Sequence, residues 1–124
     1  MIQFLLVFIG GGLGSGFRFI LSKIPFFSFI KFPIPTLLSN ILGCFILGLI
    51  FGYAIKNNHL NSPQTLLLTT GFCGGLTTFS TFAYENVTII KSGDITHAII
   101  YTLLSLVLGL FAVYLGLFLS KWKF

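Results

Sequence analysis

The chain has 124 residues, of which 56% are hydrophobic and only 7% charged, with a mean hydropathy of +1.04. A water-soluble domain of this size carries several times more charge, so a soluble fold is excluded and an integral membrane protein is expected. The net charge of +5 comes from Arg18 and six lysines against Glu85 and Asp94; because the lysines are scattered between apolar runs they form no nucleic-acid patch, and they read as loop and helix-end anchors touching anionic lipid headgroups.

A bilayer core about 30 Å thick takes roughly 20 apolar residues of helix, and four stretches qualify, at about 2–21, 35–55, 63–90 and 95–120. The length allows a single membrane domain over 1–124 with no separate soluble module. The first stretch has no basic segment before it and no clean cleavage site after it, so a retained span is expected rather than a signal peptide. Its "GGGLGSG" puts Gly10/Gly14 and Gly12/Gly16 at the four-residue spacing of close helix packing. The run matches neither a dinucleotide fingerprint nor a phosphate loop. Arg18 lies late in this span; it either snorkels to the headgroups or faces a wet vestibule that attracts anions.

A short loop with Lys23, Pro25, Lys31 and Pro33 leads to the second span, where Pro35 suits the first helical turn. Thr36, Ser39, Asn40 and Gly43 share one face of that helix, and Gly48 and Gly52 repeat the packing spacing. Asn40 is costly in hydrocarbon and needs partners, either as an interhelical bond or in a polar pathway. Cys44 here and Cys73 in the third span read as small packing residues, neither a disulfide nor a metal pair.

The third span begins at Pro63, after "KNNHLNS". Within it "GFCGGLTTFSTF" (71–82) interrupts the helical pattern. Gly74 and Gly75 are expected to end one half-helix and Thr77 and Thr78 to cap the next. Exposed backbone at membrane depth survives only when buried in protein, lining water or binding an ion, and the carbonyl end of the first half-helix favours a cation. Phe79 and Phe82 share a face; packing accounts for most membrane phenylalanines, but their electropositive ring edges beside Asn40, Ser80, Thr81 and Ser105 would also make a narrow lane for a small anion. Glu85, the one carboxylate within a span, could accept a hydroxyl bond, relay protons or lie near the membrane edge.

The fourth span follows "KSGD" and carries Tyr101, Thr102, Ser105, Gly109, Ala112 and Gly116 on one face. With the amino terminus on the cytoplasmic side, Lys56, Lys121 and Lys123 fall on that side and Lys23, Lys31 and Lys91 on the other. Such a balance gives no orientation by the positive-inside rule, and a chain that inserts both ways up can form an antiparallel dimer.

"GFCGGLTTFSTF" with Glu85 following, "GGGLGSGFRF" and "PTLLSNILGCFILG" together resemble the signatures of the Fluc/CrcB fluoride channels over the whole chain. The resemblance implies four-helix subunits paired as an antiparallel, dual-topology homodimer in the bacterial inner membrane, with two fluoride pores and no enzymatic activity. It assigns Phe79 and Phe82 to the pore rings, Asn40 to the pore asparagine, Ser80 and Thr81 to a polar track, Arg18 to the vestibule, and Tyr101 and Ser105 to the fourth-helix lining. The carbonyls of Gly74 and Thr77 would hold a structural sodium ion that is not transported. Gly109 stands where some relatives carry a further hydroxyl. In this reading the channel lets out fluoride trapped inside the cell after hydrogen fluoride enters and dissociates. Two rivals are a small proton-coupled multidrug exporter, which wants a first-helix carboxylate that is missing here, and a non-transporting scaffold packed through its glycines.

Overall fold

A computed structural model describes residues 1–123, with side chains as far as Lys121. Among the described residues every regular element is helical: α1 (Ile2–Ser22), α2 (Pro25–Ser28), α3 (Ile34–Lys56), α4 (Pro63–Leu66), a π-helical segment (Leu67–Cys73), α5 (Gly74–Leu76), α6 (Phe79–Lys91) and α7 (Ile95–Lys123). Four helical stretches are long and apolar enough to cross a membrane: Ile2–Ser22, Ile34–Lys56, Pro63–Lys91 and Ile95–Lys121. The helices begin and end within three residues of the bounds expected for the spans. The loop before α3 contains one unforeseen helical turn, α2, begun by Pro25 and closed by Ser28 Oγ on the Pro25 carbonyl at 2.7 Å. The side chain of Lys123, one of the lysines in the charge balance, lies outside the described residues.

Two helix pairs organise the molecule. In the first, α1 lies against the π-helical segment and α5, backbone on backbone. A methyl at Gly10 would strike the Leu67 carbonyl oxygen, one at Gly14 the Phe72 carbonyl oxygen, and one at Gly75 the Gly11 carbonyl. Close approach replaces hydrophobic drive as the source of cohesion, since lipid tails are as apolar as leucine. A methyl at Gly12 or Gly16 would meet nothing within 4 Å, so of the two four-spaced pairs it is Gly10/Gly14, with Gly11 beside them, that packs within the chain. In the second pair, α3 and α7, Gly48 receives Val113 and Gly116, Gly116 receives Phe45, and Gly52 receives Ser120.

The third span starts as the sequence predicts. Ser62 caps it by accepting the Thr65 N–H at 3.2 Å, and Pro63 takes the first helical position. Over Leu67–Cys73 the helix widens to π geometry. Thr69 Oγ1 donates to the Thr65 carbonyl at 2.7 Å, so a side chain competes for an acceptor of the helical ladder at this point.

The break itself falls later than expected. Gly74 is helical (φ −63°, ψ −35°), while Thr77 (φ −80°, ψ 153°) and Thr78 (φ −150°, ψ 124°) are extended. The glycines therefore do not end the half-helix; Gly75 is small because α1 touches it. The threonines carry the break: Thr77 Oγ1 adds a second bond, at 2.9 Å, to the Cys73 carbonyl that the Thr77 N–H already reaches, and Thr78 Oγ1 accepts the Thr81 N–H at 3.3 Å as the cap of α6.

The turn into α7 uses Gly93 at φ +88°, a left-handed position that suits glycine. Asp94 then caps α7, accepting the His97 N–H at 3.2 Å and pairing with His97 Nδ1 at 2.6 Å. The side-chain hydrogen bond from His97, aided by its backbone bond, holds the Asp94 carboxyl below the usual aspartate range. Elsewhere the outer surface is apolar, with Phe4, Phe8, Leu103, Leu110 and Phe111 all exposed, as suits a protein whose solvent is lipid.

Candidate functional site

The break in the third span opens on a cavity of about 390 Å³ between α3, α6 and α7. Asn40, Thr77, Thr78, Phe79, Phe82 and Ser105 contribute to its lining, as do Gly74 and both cysteines, and no charged side chain does. Each reaches the cavity for a local reason. Asn40 sits one turn beyond Thr36 on the small and polar face of α3, where Gly43 leaves room for the Thr77 methyl. Phe79 opens α6, so the break aims it, and Phe82 follows three residues later with ring centroids 5.9 Å apart. Ser105 comes from the polar face of α7.

The polar inventory of the cavity is uneven. Asn40 Oδ1 accepts the Thr78 N–H at 2.7 Å and its Nδ2 donates to the Thr78 carbonyl at 3.2 Å. An amide nitrogen has two N–H groups, and that bond uses one. Ser105 Oγ is buried and has no hydrogen-bond partner among the described residues. Such orphaned polar atoms are rare, and they mark a strain reservoir, a functional role or an unfilled ligand position.

Behind the rings lies a second cluster. Glu85 accepts the Thr36 hydroxyl on Oε1 and the Tyr101 hydroxyl on Oε2, each at 2.7 Å. Tyr101 is 0% exposed and does not line the cavity; its ring packs on Phe82 at 5.1 Å and on Phe32 at 5.3 Å. One residue further along each helix, Thr102 Oγ1 donates to Asn86 Oδ1 at 3.0 Å.

The remaining candidates lie elsewhere. Ser80 and Thr81 gather around the Thr78 hydroxyl, with oxygen separations of 3.3 Å and 3.2 Å, and are not among the residues lining the cavity. Arg18 is not among the residues lining the cavity; its Nε donates to the Gly75 carbonyl at 3.2 Å. Ser15 Oγ reaches the same oxygen at 3.5 Å. A cation thus sits where the first half-helix ends, the favourable place for one against the helix dipole. Cys73 is buried and Cys44 half-buried, and both stand at the cavity wall.

Thr36, Thr78 and Phe32 carry contacts that sequence pattern does not assign. Thr36 stood on the polar face of α3, and Glu85 was a carboxylate in need of a donor, but nothing in the spacing joins residues 49 apart. The backbone at the break also bears on a cation. The Gly75 carbonyl is taken by Arg18, whereas the Thr77 carbonyl accepts no hydrogen bond from any described residue. The Thr77 N–H bonds Cys73 and the Thr78 N–H bonds Asn40, so neither returns to Gly74. Uncommitted carbonyl oxygens are the donor type that alkali cations take, so the residues present fit sodium.

Four membrane-length helices, with the third interrupted at mid-span beside an uncharged, largely apolar cavity that holds a few polar side chains, define a multi-pass membrane protein of the broken-helix channel and transporter type. More narrowly, the chain belongs to the family described as "CrcB-like protein, Camphor Resistance (CrcB)", whose profile matches residues 5–117. It is 44% identical to the fluoride-specific ion channel FluC of Gloeothece citriformis, covering 98% of each chain. It is 42% identical to the FluC of Azobacteroides pseudotrichonymphae, covering 94% of each. Against the FluC of Aquifex aeolicus it is 41% identical, over 93% of this chain and 94% of that one.

Proposed function

We propose that this chain is the subunit of a passive fluoride channel that releases cytoplasmic fluoride, and that two copies pair antiparallel to complete it. The observation that carries the reading is the Ser105 hydroxyl, buried without a hydrogen-bond partner among the described residues at a cavity that also holds Asn40 and the Phe79–Phe82 pair. The names of the close relatives point the same way.

Fluoride is small and tightly hydrated, so a path must replace its water with donors. Ser105 has its O–H to give, and Asn40 has its second N–H. Ring edges supply further positive potential without a mobile charge. The lining carries no fixed anion to repel fluoride. Phe79 is 79% exposed on the single chain, so half of the ring pair lacks a wall. A second copy, inverted across the membrane, would supply it.

In that dimer the carbonyls of Gly74 and Thr77 from both breaks would hold one sodium ion. Bound there, sodium supplies a fixed positive charge against uncommitted carbonyl dipoles. Arg18 does the corresponding service within each chain at Gly75. Expression in a bacterium stripped of its own fluoride export should restore growth in fluoride-containing medium. Growth no better than with an empty vector, at verified membrane expression, would refute the reading.

A further inference from the structure

A second cavity, of about 350 Å³, opens between the α2–α3 link and α6, with Lys31, Phe32, Tyr84, Glu85 and Thr88 among its lining. A chain of ring contacts links it to the first. Phe32 meets Tyr101 edge-on at 5.3 Å and 80°, and Tyr101 meets Phe82, which lines the first cavity, at 5.1 Å. Phe79, Phe82, Tyr101 and Phe32 therefore form one continuous aromatic file from the first cavity to the second.

The electrostatics of the second cavity are distinctive. Glu85 is part of its wall, with both carboxylate oxygens engaged by hydroxyls and no ion-pair partner among the described residues. An anion travelling along the file would meet that carboxylate and be repelled. Lys31 lines the same cavity, is exposed, and likewise has no ion-pair partner among the described residues. Its ammonium offsets the carboxylate and raises the local anion concentration, as charged clefts with low-dielectric walls do.

Resting on the fluoride-channel reading, we infer that this cavity is the second mouth of the fluoride path, that Lys31 recruits the anion there, and that Phe32 forms its inner wall by bracing Tyr101. The role belongs to Lys31 by position, not by charge alone. Lys91 stands at the same end of the helices, in the last turn of α6, and does not line the cavity.

The test is fluoride efflux from proteoliposomes of neutral lipid, so that lysine contacts with anionic headgroups play no part. At about 0.01 M ionic strength, where the Debye length is about 30 Å, Lys31→Gln should slow initial efflux by roughly threefold or more. Lys31→Glu should slow it further and Lys31→Arg should restore it. At about 1 M salt, where screening shortens that length to about 3 Å, the Gln variant should match the wild type. Lys91→Gln should match it throughout. Equal rates for Lys31→Gln and wild type at low salt would overturn the inference, as would a deficit that salt leaves unchanged or one that Lys91→Gln shares. A wild-type protein that releases no fluoride would instead sink the channel reading itself.

Discussion

Asn40 on α3 bonds both backbone groups of Thr78, taking its N–H at 2.7 Å and giving Nδ2 to its carbonyl at 3.2 Å, so one side chain stands in for helical bonds that the break removes. The sequence left open whether this amide is an interhelical bond or a pathway donor. The structure shows the first, and the spare N–H leaves room for the second. Unpaired backbone groups at membrane depth cost several kcal/mol each, so this contact permits the break at all.

Asn40→Asp should keep the bond from the Thr78 N–H but lose the donation to its carbonyl, while placing a negative charge on the cavity wall. Loss of a hydrogen bond to a buried group costs about 1–3 kcal/mol. Fluoride efflux should fall by about tenfold or more, as measured with a fluoride-selective electrode. Wild-type flux in this variant would remove Asn40 from the path.

Phe79→Ile and Phe82→Ile keep bulk and apolarity but remove ring edges. Both should slow efflux. Phe82→Ile should have the larger structural cost, because the ring also touches Tyr101 at 5.1 Å. Thermal unfolding in detergent separates the two effects: slower flux at unchanged melting assigns the loss to the path. Unchanged flux in both variants would reduce the pair to packing.

The spans were legible because bilayer thickness fixes how many apolar residues a helix needs, and composition reports that directly. The break was legible as an event but displaced by a few residues. Glycine signals either a helix end or a close contact, and Gly75 turned out to be the second, since its neighbour Gly11 lies 64 positions away in the sequence. The target of Arg18 was hidden for the same reason, lying 57 residues away. The π-helical widening at Leu67–Cys73 left no trace in hydrophobic periodicity. Tyr101 stood on the expected polar face, yet its hydroxyl turns to Glu85, sixteen residues back, and its ring is buried behind Phe82.

Gly75→Ala tests that reassignment. The added methyl would meet the Gly11 backbone, which has nowhere to go. Overpacking of this kind costs about 1–3 kcal/mol, and the variant should melt earlier in detergent. Gly109→Ala, whose methyl meets only Cys44 Sγ at 3.8 Å, should melt at or above the wild-type temperature. Equal melting of Gly75→Ala and wild type would return Gly75 to the role of helix terminator.

Exchange of sodium for a larger organic cation during reconstitution should lower fluoride flux, because the carbonyls at Gly74 and Thr77 would lose a cation of fitting size. Re-addition of sodium should restore it. Flux indifferent to the exchange, checked after extensive dialysis, would exclude a structural sodium at the break.

The central claim is that the uncharged cavity beside the broken helix passes fluoride and little else. Purified protein in liposomes loaded with equal fluoride and chloride, with potassium made permeant by an ionophore, tests it in one trace per ion. The account predicts rapid loss of fluoride while chloride stays inside; chloride keeping pace with fluoride, or both ions remaining trapped, would contradict it.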